Sequence, residues 1–247
     1  MAEEEYIGGK HSVLEALRSG RTINKIWIAE NAQKQFAGPI VAEAKNHGII
    51  VQFTDKRKLD QMAEGLVHQG VVAQVAAYEY VEIEDILAKA KAKGEEPFIL
   101  ILDEIEDPHN LGSILRTADC TGVHGVIIPK RRSVGLTATV SKTSAGAVEY
   151  VPVARVTNIA QTIEQLKEEG VWVAGTDVSG AQDVYKANFK IPIALVIGNE
   201  GKGVGRLIKE KCDFLVKLPM SGQINSLNAS VAAGVLMYEV VRQRILS

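Results

Sequence analysis

Short apolar runs rich in β-branched residues alternate with segments of helical periodicity along most of the chain. After residue 97 the apolar runs predict buried strands, and the periodic segments between them predict helices. The predicted strands are residues 99–102, 125–128, 171–174, 194–197 and 214–218, and the predicted helices are residues 111–121, 158–169, 204–211 and 226–244. Alternation of this length is typical of a parallel sheet that helices cover on both faces.

A smaller α/β pattern precedes this region. Its predicted helices are residues 10–18 and 36–46, and its predicted strands are residues 25–29, 49–53 and 71–75. A charged segment follows, with a short predicted helix that stops at Gly94, because glycine favours the end of a helix. The pattern therefore predicts a small domain over residues 1–77, a linker over residues 78–96 and a second domain over residues 97–247.

Composition narrows the protein class only a little. The 247 residues are 46% hydrophobic, which is enough for a core, and the net charge of -2 excludes no class of partner. The longest apolar runs are too short for a membrane span, and the acidic residues 1–5 are unlike the start of a signal peptide. Cys120 and Cys212 lack metal-ligand spacing, so we expect free, buried thiols in a reducing cytosol and a cytoplasmic protein.

Three polar segments, residues 107–118, 197–203 and 219–232, each follow a predicted strand. Loops and helix N-termini at the carboxyl ends of parallel strands offer backbone N–H groups and side-chain amides to a ligand. Three such segments therefore predict one binding site.

Each segment carries side chains that suit a ligand as well as a plain structural role. Asn110 stands where a helix cap is expected. Arg116 follows among small and apolar residues, where a charge needs a partner; a substrate phosphate would serve, although a surface ion pair is the usual role. Glu200 lies in a glycine-rich loop that fails the Walker and dinucleotide patterns, so the loop is either a plain turn or a close approach to a flat ligand. Ser226 and Asn228 open the last predicted helix, which needs only one cap.

Basic residues cluster at several places in both predicted domains. Acidic and basic residues balance over residues 1–77, so these clusters are local patterns, and a charge run is usually a solvated surface. A further basic run covers residues 56–58. The candidate RNA contacts are Lys10, Arg18, Arg21, His68, Lys130, Arg131 and Lys142.

Together the three polar segments resemble the motifs of the SPOUT class of methyltransferases, and more narrowly those of the SpoU, or TrmH-like, RNA 2′-O-ribose methyltransferases. The similar stretches are residues 110–116, 197–201 and 218–230, in the family's order. Residues 8–13 and 68–70 resemble the L30e-like RNA-binding domain of the 23S rRNA guanosine-2′-O-methyltransferases. The resemblance implies an α/β fold with a SPOUT-type parallel sheet and a C-terminal trefoil knot, preceded by a small L30e-like α/β domain.

The resemblance also implies a chemistry, which is methyl transfer from S-adenosylmethionine to a ribose 2′-hydroxyl by a homodimer, with no metal required. An arginine has too high a pKa for a general base, so Arg116 is expected to hold a phosphate and favour the developing alkoxide. The implied catalytic residues are Asn110, Arg116, Glu200, Ser226 and Asn228. The implied cofactor contacts are Thr176, Ile197, Gly198, Asn199, Gly201, Leu218, Met220, Ser226 and Leu227. An apolar stripe that fits a core or a dimer interface comprises Leu227, Val231, Val235, Leu236, Val240 and Val241.

Two other functions stay open at this point. A tRNA ribose methyltransferase would share all three motifs, although the L30e-like first unit favours 23S rRNA, with guanosine as the modified nucleotide. A non-catalytic RNA-binding protein of ribosome assembly is opposed by the presence of every catalytic-type residue. Neither DNA nor a membrane is an expected partner.

Overall fold

The computed structural model describes residues 4–63, 65–177, 182–223 and 226–245. Ile224 and Asn225, which belong to the third motif, lie outside these ranges. Within them, no helix combines the length and the apolar character that crossing a membrane requires.

Strands and helices alternate along the described chain. The strands are β1 (Glu4–Gly8), β2 (Ile23–Ala29), β3 (Val51–Thr54), β4 (Val71–Ala76), β5 (Phe98–Leu102), β6 (Gly125–Pro129), β7 (Val153–Val156), β8 (Trp172–Thr176), β9 (Gln182–Asp183), β10 (Ile193–Ile197) and β11 (Phe214–Lys217). The helices are α1 (Lys10–Arg18), α2 (Lys34–Asn46), α3 (Lys56–Met62), α4 (Ile83–Lys93), α5 (Pro108–Cys120), α6 (Ala138–Thr143), α7 (Ile159–Glu168), α8 (Arg206–Lys211) and α9 (Ala229–Ile245).

The chain divides into two units, and the division differs from the predicted boundaries in two places. Unit 1 comprises residues up to 79 together with residues 135–150, and unit 2 comprises the rest. Helix α4, predicted to lie on a linker, buries Ile83 and Ile86 in the core of unit 2, so this segment is part of the second unit. Residues 135–150 pack in unit 1, where Glu149 forms an ion pair with Arg21.

Unit 1 is built on a four-stranded sheet with the order β1-β4-β2-β3. Strand β4 is antiparallel to both neighbours, whereas β3 runs parallel to β2 and forms an edge. One core cluster joins Leu17 of α1 and Ile40 of α2 to the sheet. A second cluster packs Leu59 of α3 against Trp27. Helix α3 therefore packs against β2 and β4 of this sheet.

Unit 2 is built on a seven-stranded sheet with the order β7-β6-β5-β10-β8-β11-β9, and every described pairing in it is parallel. All residues of β5 and β10 are buried, as expected for the centre of a sheet covered on both faces. Because the strands are parallel, the segments that follow β5, β10, β8 and β11 meet at one edge. This edge brings the three polar segments together.

The predicted α/β class and parallel sheet are confirmed, whereas several details are not. The hydrophobic pattern did not predict five elements that are short or lie at sheet edges, which are β1, β7, β9, α3 and α6. The last helix begins at Ala229 rather than at residue 226. The expectation of two buried thiols is wrong for Cys120, which is exposed; Cys212 is half-buried, and burial raises its pKa to about 12. The trefoil knot stays a prediction.

Candidate active site

A cavity of about 320 Å³ opens among the loops that follow β8, β10 and β11 of unit 2. Its wall combines apolar side chains with backbone and carboxylate groups and with three lysines, Lys202, Lys209 and Lys217. All nine residues predicted to contact the cofactor line this cavity: Thr176, Ile197, Gly198, Asn199, Gly201, Leu218, Met220, Ser226 and Leu227. These nine residues extend from Thr176 to Leu227, so residues that are distant in sequence share one wall.

Glu200 joins the three polar segments at the cavity. Its Oε1 accepts hydrogen bonds from Nδ2 of Asn110 at 2.8 Å, from Nδ2 of Asn228 at 2.6 Å and from the backbone N–H of Ala229 at 3.1 Å. The Nδ2 of Asn228 also lies 2.9 Å from Oδ1 of Asn110. Three of the five predicted catalytic side chains thus form one hydrogen-bonded group.

Asn228 performs the expected capping role and a second role at once. Its Oδ1 accepts hydrogen bonds from the backbone N–H of Ser230 at 3.0 Å and of Val231 at 3.3 Å, which satisfies the first turn of α9. Its amide nitrogen is thereby turned towards Glu200. Ser226, another predicted catalytic residue, is exposed, precedes α9 and lines the cavity.

The loop after β10 is closed by its own hydrogen bonds. Asn199 accepts from the N–H of Gly201 at 2.9 Å through its side chain and from the N–H of Gly203 at 2.7 Å through its carbonyl. A Cβ added at Gly198 would collide with the backbone of Gly203 and Val204. The loop itself therefore requires glycine at position 198, and close approach of a ligand to Gly198 stays a prediction.

Two acidic residues of this edge were missed by pattern reading. Asp103 follows β5 and is buried, and its Oδ2 accepts the N–H of Gly205 at 2.9 Å; burial raises the pKa of this carboxyl group. Asp177 follows β8, lines the cavity and forms a 2.9 Å ion pair with Lys209. An acidic residue directly after a buried strand is the signal that would have found both.

Arg116 lies on α5, the helix that also carries Asn110, but it does not line the cavity. It is exposed, and its side chain makes no hydrogen bond or ion pair with any residue that the structure describes. The usual role of a surface ion pair is therefore not filled among the described residues, and the exposed guanidinium needs no partner because water can solvate it. The same exposure leaves Arg116 accessible to an outside anion.

Arg21 has an environment that argues against the predicted RNA contact. Its side chain is 7% exposed and forms a 3.1 Å ion pair with Glu149, whose side chain is 5% exposed. The guanidinium also stacks 3.4 Å above the ring of Tyr78. Because its donors and its planar face are already used, Arg21 is no longer a candidate for direct RNA contact.

His68 is likewise held inside unit 1. It is buried, its Nε2 lies 2.8 Å from Oδ1 of Asp60, and its Nδ1 accepts the N–H of Gly70 at 3.1 Å. Both ring nitrogens are therefore used, and His68 is also no longer a candidate for direct RNA contact.

The other predicted RNA contacts differ in how free they are. Lys10 donates to the carbonyl of Gln35 at 3.3 Å, and Arg18 forms an ion pair with Glu15 at 2.8 Å. By contrast, the remaining three are exposed, and their side chains have no hydrogen bond or ion pair within the described ranges: Lys130, Arg131 and Lys142. The described residues also include no group of three or more His, Cys, Asp and Glu side chains that could hold a metal ion.

Two family models match the chain. The SpoU rRNA Methylase family matches residues 97–238, and the model described as RNA 2′-O ribose methyltransferase substrate binding matches residues 6–81. A relative from Bacillus subtilis (strain 168), YacO, provisionally named a TrmH family tRNA/rRNA methyltransferase, is 60% identical over 98% of this chain and 97% of its own.

Solved structures resemble the chain over different lengths. The SpoU methyltransferase AviRb from Streptomyces viridochromogenes, in complex with AdoMet (S-adenosylmethionine), has a TM-score of 0.83 at 25% identity and covers 99% of this chain and 92% of its own. An AdoMet-bound rRNA methyltransferase from Sinorhizobium meliloti has a TM-score of 0.81 at 25% identity and covers 97% of this chain and 87% of its own. A TrmH/SpoU tRNA modifying enzyme from A. aeolicus has a TM-score of 0.55 at 28% identity and covers only 61% of this chain and 76% of its own.

Proposed function

Because this chain belongs to the SpoU/TrmH family of RNA methyltransferases, we propose that it methylates a ribose 2′-hydroxyl of rRNA with S-adenosylmethionine as the methyl donor. The observation that carries the proposal is the meeting of three motif segments at Glu200, beside one cavity. A non-catalytic RNA-binding protein would have no need for this arrangement.

The cavity suits S-adenosylmethionine in shape and charge. Ile197, Leu218 and Leu227 offer apolar surface to an adenine ring. Glu200 supplies a carboxylate whose described hydrogen-bond donors are neutral amides, and no cation of the described chain forms an ion pair with it. An uncompensated negative charge favours a cationic ligand. When bound, the cofactor supplies an electrophilic methyl group on a positively charged sulfur.

The placement of the cofactor is testable at Gly201. A Cβ at this position would meet only Oδ1 of Asn199 at 3.5 Å, so the loop tolerates a side chain that a ligand in the cavity would not. We expect Gly201→Val to weaken cofactor binding in calorimetry while the fold is kept. Gly38→Val is the control, because an added Cβ there meets nothing within 4 Å. Undiminished binding by the Gly201 variant would contradict the placement.

The residues around Glu200 divide the catalytic work. An arginine stays protonated because its pKa is very high, so it cannot take the 2′-hydroxyl proton, and Arg116 is assigned to holding the neighbouring phosphate and stabilising the developing alkoxide. Asn110 and Asn228 share bonds with Glu200 and with each other, so they fix the geometry of this edge. Ser226 lines the cavity and offers a hydroxyl to the cofactor or the ribose.

For the substrate we propose a guanosine of 23S rRNA. In support, the AdoMet-bound rRNA methyltransferase covers nearly the whole chain, whereas the tRNA-modifying neighbour covers 61% of it. The substrate-binding model matches residues 6–81, nearly all of them in unit 1, and we expect this region to distinguish the two classes. A tRNA guanosine-2′-O-methyltransferase is the alternative within the same chemistry.

Ribose-methylation mapping tests the substrate. We expect one 2′-O-methylated guanosine in 23S rRNA that is lost without this protein and restored by the wild-type chain. Loss of a tRNA modification instead would assign the alternative substrate. Absence of any methylation change, with no binding of S-adenosylmethionine in calorimetry, would favour the non-catalytic function.

We also propose a homodimer that uses α9. The predicted apolar stripe divides into two faces: Leu236 and Val240 are buried within unit 2, whereas Val231 and Val235 are 51% and 38% exposed. Tyr238, 55% exposed, extends the open face. A second copy would cover these side chains. Light scattering of Val235→Glu should show monomers where the wild type shows dimers, and a monomeric wild type would contradict the proposal.

A further inference from the structure

Unit 1 needs RNA-contacting groups other than those that pattern reading favoured. Arg21 and His68 are buried and bonded to carboxylates of the same unit, and Arg18 forms an ion pair with Glu15. The basic run Lys56, Arg57 and Lys58 is different, because all three residues are exposed. Their side chains form no hydrogen bond or ion pair with any residue that the structure describes.

The basic run lies on a rigid corner between β3 and α3. A single residue, Asp55, connects the two elements, and its Oδ1 accepts the backbone N–H of Lys58 at 3.0 Å. Thr54 and Leu59 on either side of the corner are buried. The strand β3 forms the sheet edge, and its Phe53 is 50% exposed. An aromatic ring and three cations thus stand within six residues of anchored chain.

The carboxylates of this corner are engaged, whereas its cations are free. Asp55 caps α3, and Asp60 lies 2.8 Å from the ring of His68. His68 therefore supports the corner from inside instead of touching a ligand. Free cations beside an exposed aromatic ring fit a polyanion that carries flat bases, which is the chemistry of single-stranded RNA.

We propose that the β3–α3 corner, defined as Phe53, Lys56, Arg57 and Lys58, is a surface on which unit 1 binds a single-stranded segment of the RNA substrate. The three cations contact phosphates and Phe53 stacks on a base. The proposal rests on the proposed function, since it names where the substrate of that reaction is held.

The test measures RNA binding by the full-length protein, independently of methyl transfer. Filter binding to a 23S rRNA transcript is measured at several KCl concentrations for Lys56→Gln with Arg57→Gln. The matched control is Lys34→Gln with Lys45→Gln, two exposed lysines of α2 in the same unit. Each lost phosphate contact lowers the salt slope by about one, so we expect a reduction of about two for the corner and none for the control.

The stacking component has its own matched pair. Phe53→Ala should weaken RNA binding about tenfold, the order of one base–aromatic stack, with little change in salt slope. Ile50→Ala, at a site 63% exposed, removes apolar surface without removing a ring and should have little effect. Calorimetric affinity for S-adenosylmethionine should stay unchanged in all four variants, because none alters unit 2.

Equal effects of the corner and control variants on RNA binding would overturn the proposal. So would unchanged RNA binding with lost co-sedimentation on ribosomal particles, which would assign the corner to a protein partner. A wild type that binds RNA without methylating it would contradict the proposed function, while the binding comparison would still decide the role of the corner.

Discussion

Each unit contains a polar cluster centred on one glutamate, Glu149 in unit 1 and Glu200 in unit 2. Both carboxylates accept three hydrogen bonds, but their donors differ in charge. Glu149 receives the guanidinium of Arg21 at 3.1 Å, the hydroxyl of Tyr78 at 2.9 Å and a longer 3.4 Å bond from a serine hydroxyl. Glu200 receives only amide donors. The first carboxylate is neutralised by the protein, and the second is not.

This difference in charge separates a cluster that holds the fold from one that is prepared for a ligand. The side chain of Glu149 is 5% exposed, where an unpaired charge would be strongly destabilising, so its counter-ion must be internal. Glu200 is exposed and lines the cavity, so its counter-ion can come from outside. The number of hydrogen bonds alone would not distinguish the two clusters.

The largest expected effect concerns Arg116, which lies on the same helix as Asn110 of the Glu200 cluster. We expect Arg116→Ala to reduce single-turnover methylation of an rRNA fragment about a hundredfold or more, since losing one group aimed at developing charge typically has this effect. Cofactor affinity should stay nearly unchanged, because Arg116 does not line the cavity. Arg116→Lys should restore little of the methylation rate, because the ammonium group of lysine lacks the planar guanidinium that binds a phosphate through two hydrogen bonds.

Thermal unfolding supplies the control for that prediction. Arg116 has no partner among the described residues, so Arg116→Ala should leave Tm unchanged, whereas Arg21→Ala should lower it by breaking the pair with Glu149. A near-normal methylation rate for the Arg116 variant would make this residue structural. An equal loss of cofactor binding would instead place it in the cofactor site.

The second effect is a loss of stability in unit 1. Glu149→Gln keeps the shape of the side chain but leaves the buried guanidinium of Arg21 with only Glu5, at 3.5 Å, as a charged partner, so we expect about 3 kcal/mol of destabilisation, the low end for a broken buried ion pair. Hydrogen exchange of unit 1 peptides measures this separately from unit 2. Double replacement by Arg21→Met and Glu149→Leu should be milder than Glu149→Gln alone, since neither charge remains. A more severe double variant would contradict the ion-pair explanation.

The site is predictable where local sequence determines geometry. Buried strands such as β5 and β10 are apolar runs, and parallel strands must deliver the residues after them to one edge. The order of strands and polar segments along the chain is therefore enough to bring Glu200 and Asn228 to the same edge. The nine predicted cofactor contacts also needed the family resemblance, which selected them from residues that end or follow these strands or precede α9.

The roles of Arg21 and His68 could not be predicted in this way. The partner of Arg21, Glu149, lies 128 positions further along the chain, in a segment that joins unit 1 only in three dimensions. A basic residue near other basic residues has the same local pattern whether a carboxylate covers it or not. Gly198 is similar, because its close contact with the backbone of Gly203 exists only in the folded loop.

The smallest effect tests whether the free charge of Glu200 is used by the cofactor. In Glu200→Gln the amide oxygen can still accept from Asn110, Asn228 and Ala229, so Tm should change little, in contrast to Glu149→Gln. The negative charge is lost, and we expect affinity for S-adenosylmethionine to fall about tenfold, which corresponds to about 1.4 kcal/mol.

S-adenosylhomocysteine separates charge from shape in this last comparison, because its sulfur is neutral and the rest of the molecule is the same as the methyl donor. Calorimetry of Glu200→Gln should show nearly unchanged affinity for S-adenosylhomocysteine, so the variant loses its preference for the cationic ligand. Equal weakening of both ligands would mean that Glu200 acts through the geometry of its hydrogen bonds. Both glutamates would then act mainly by fixing the geometry of their hydrogen-bond donors. The contrast between a neutralised and a free carboxylate would no longer explain the site.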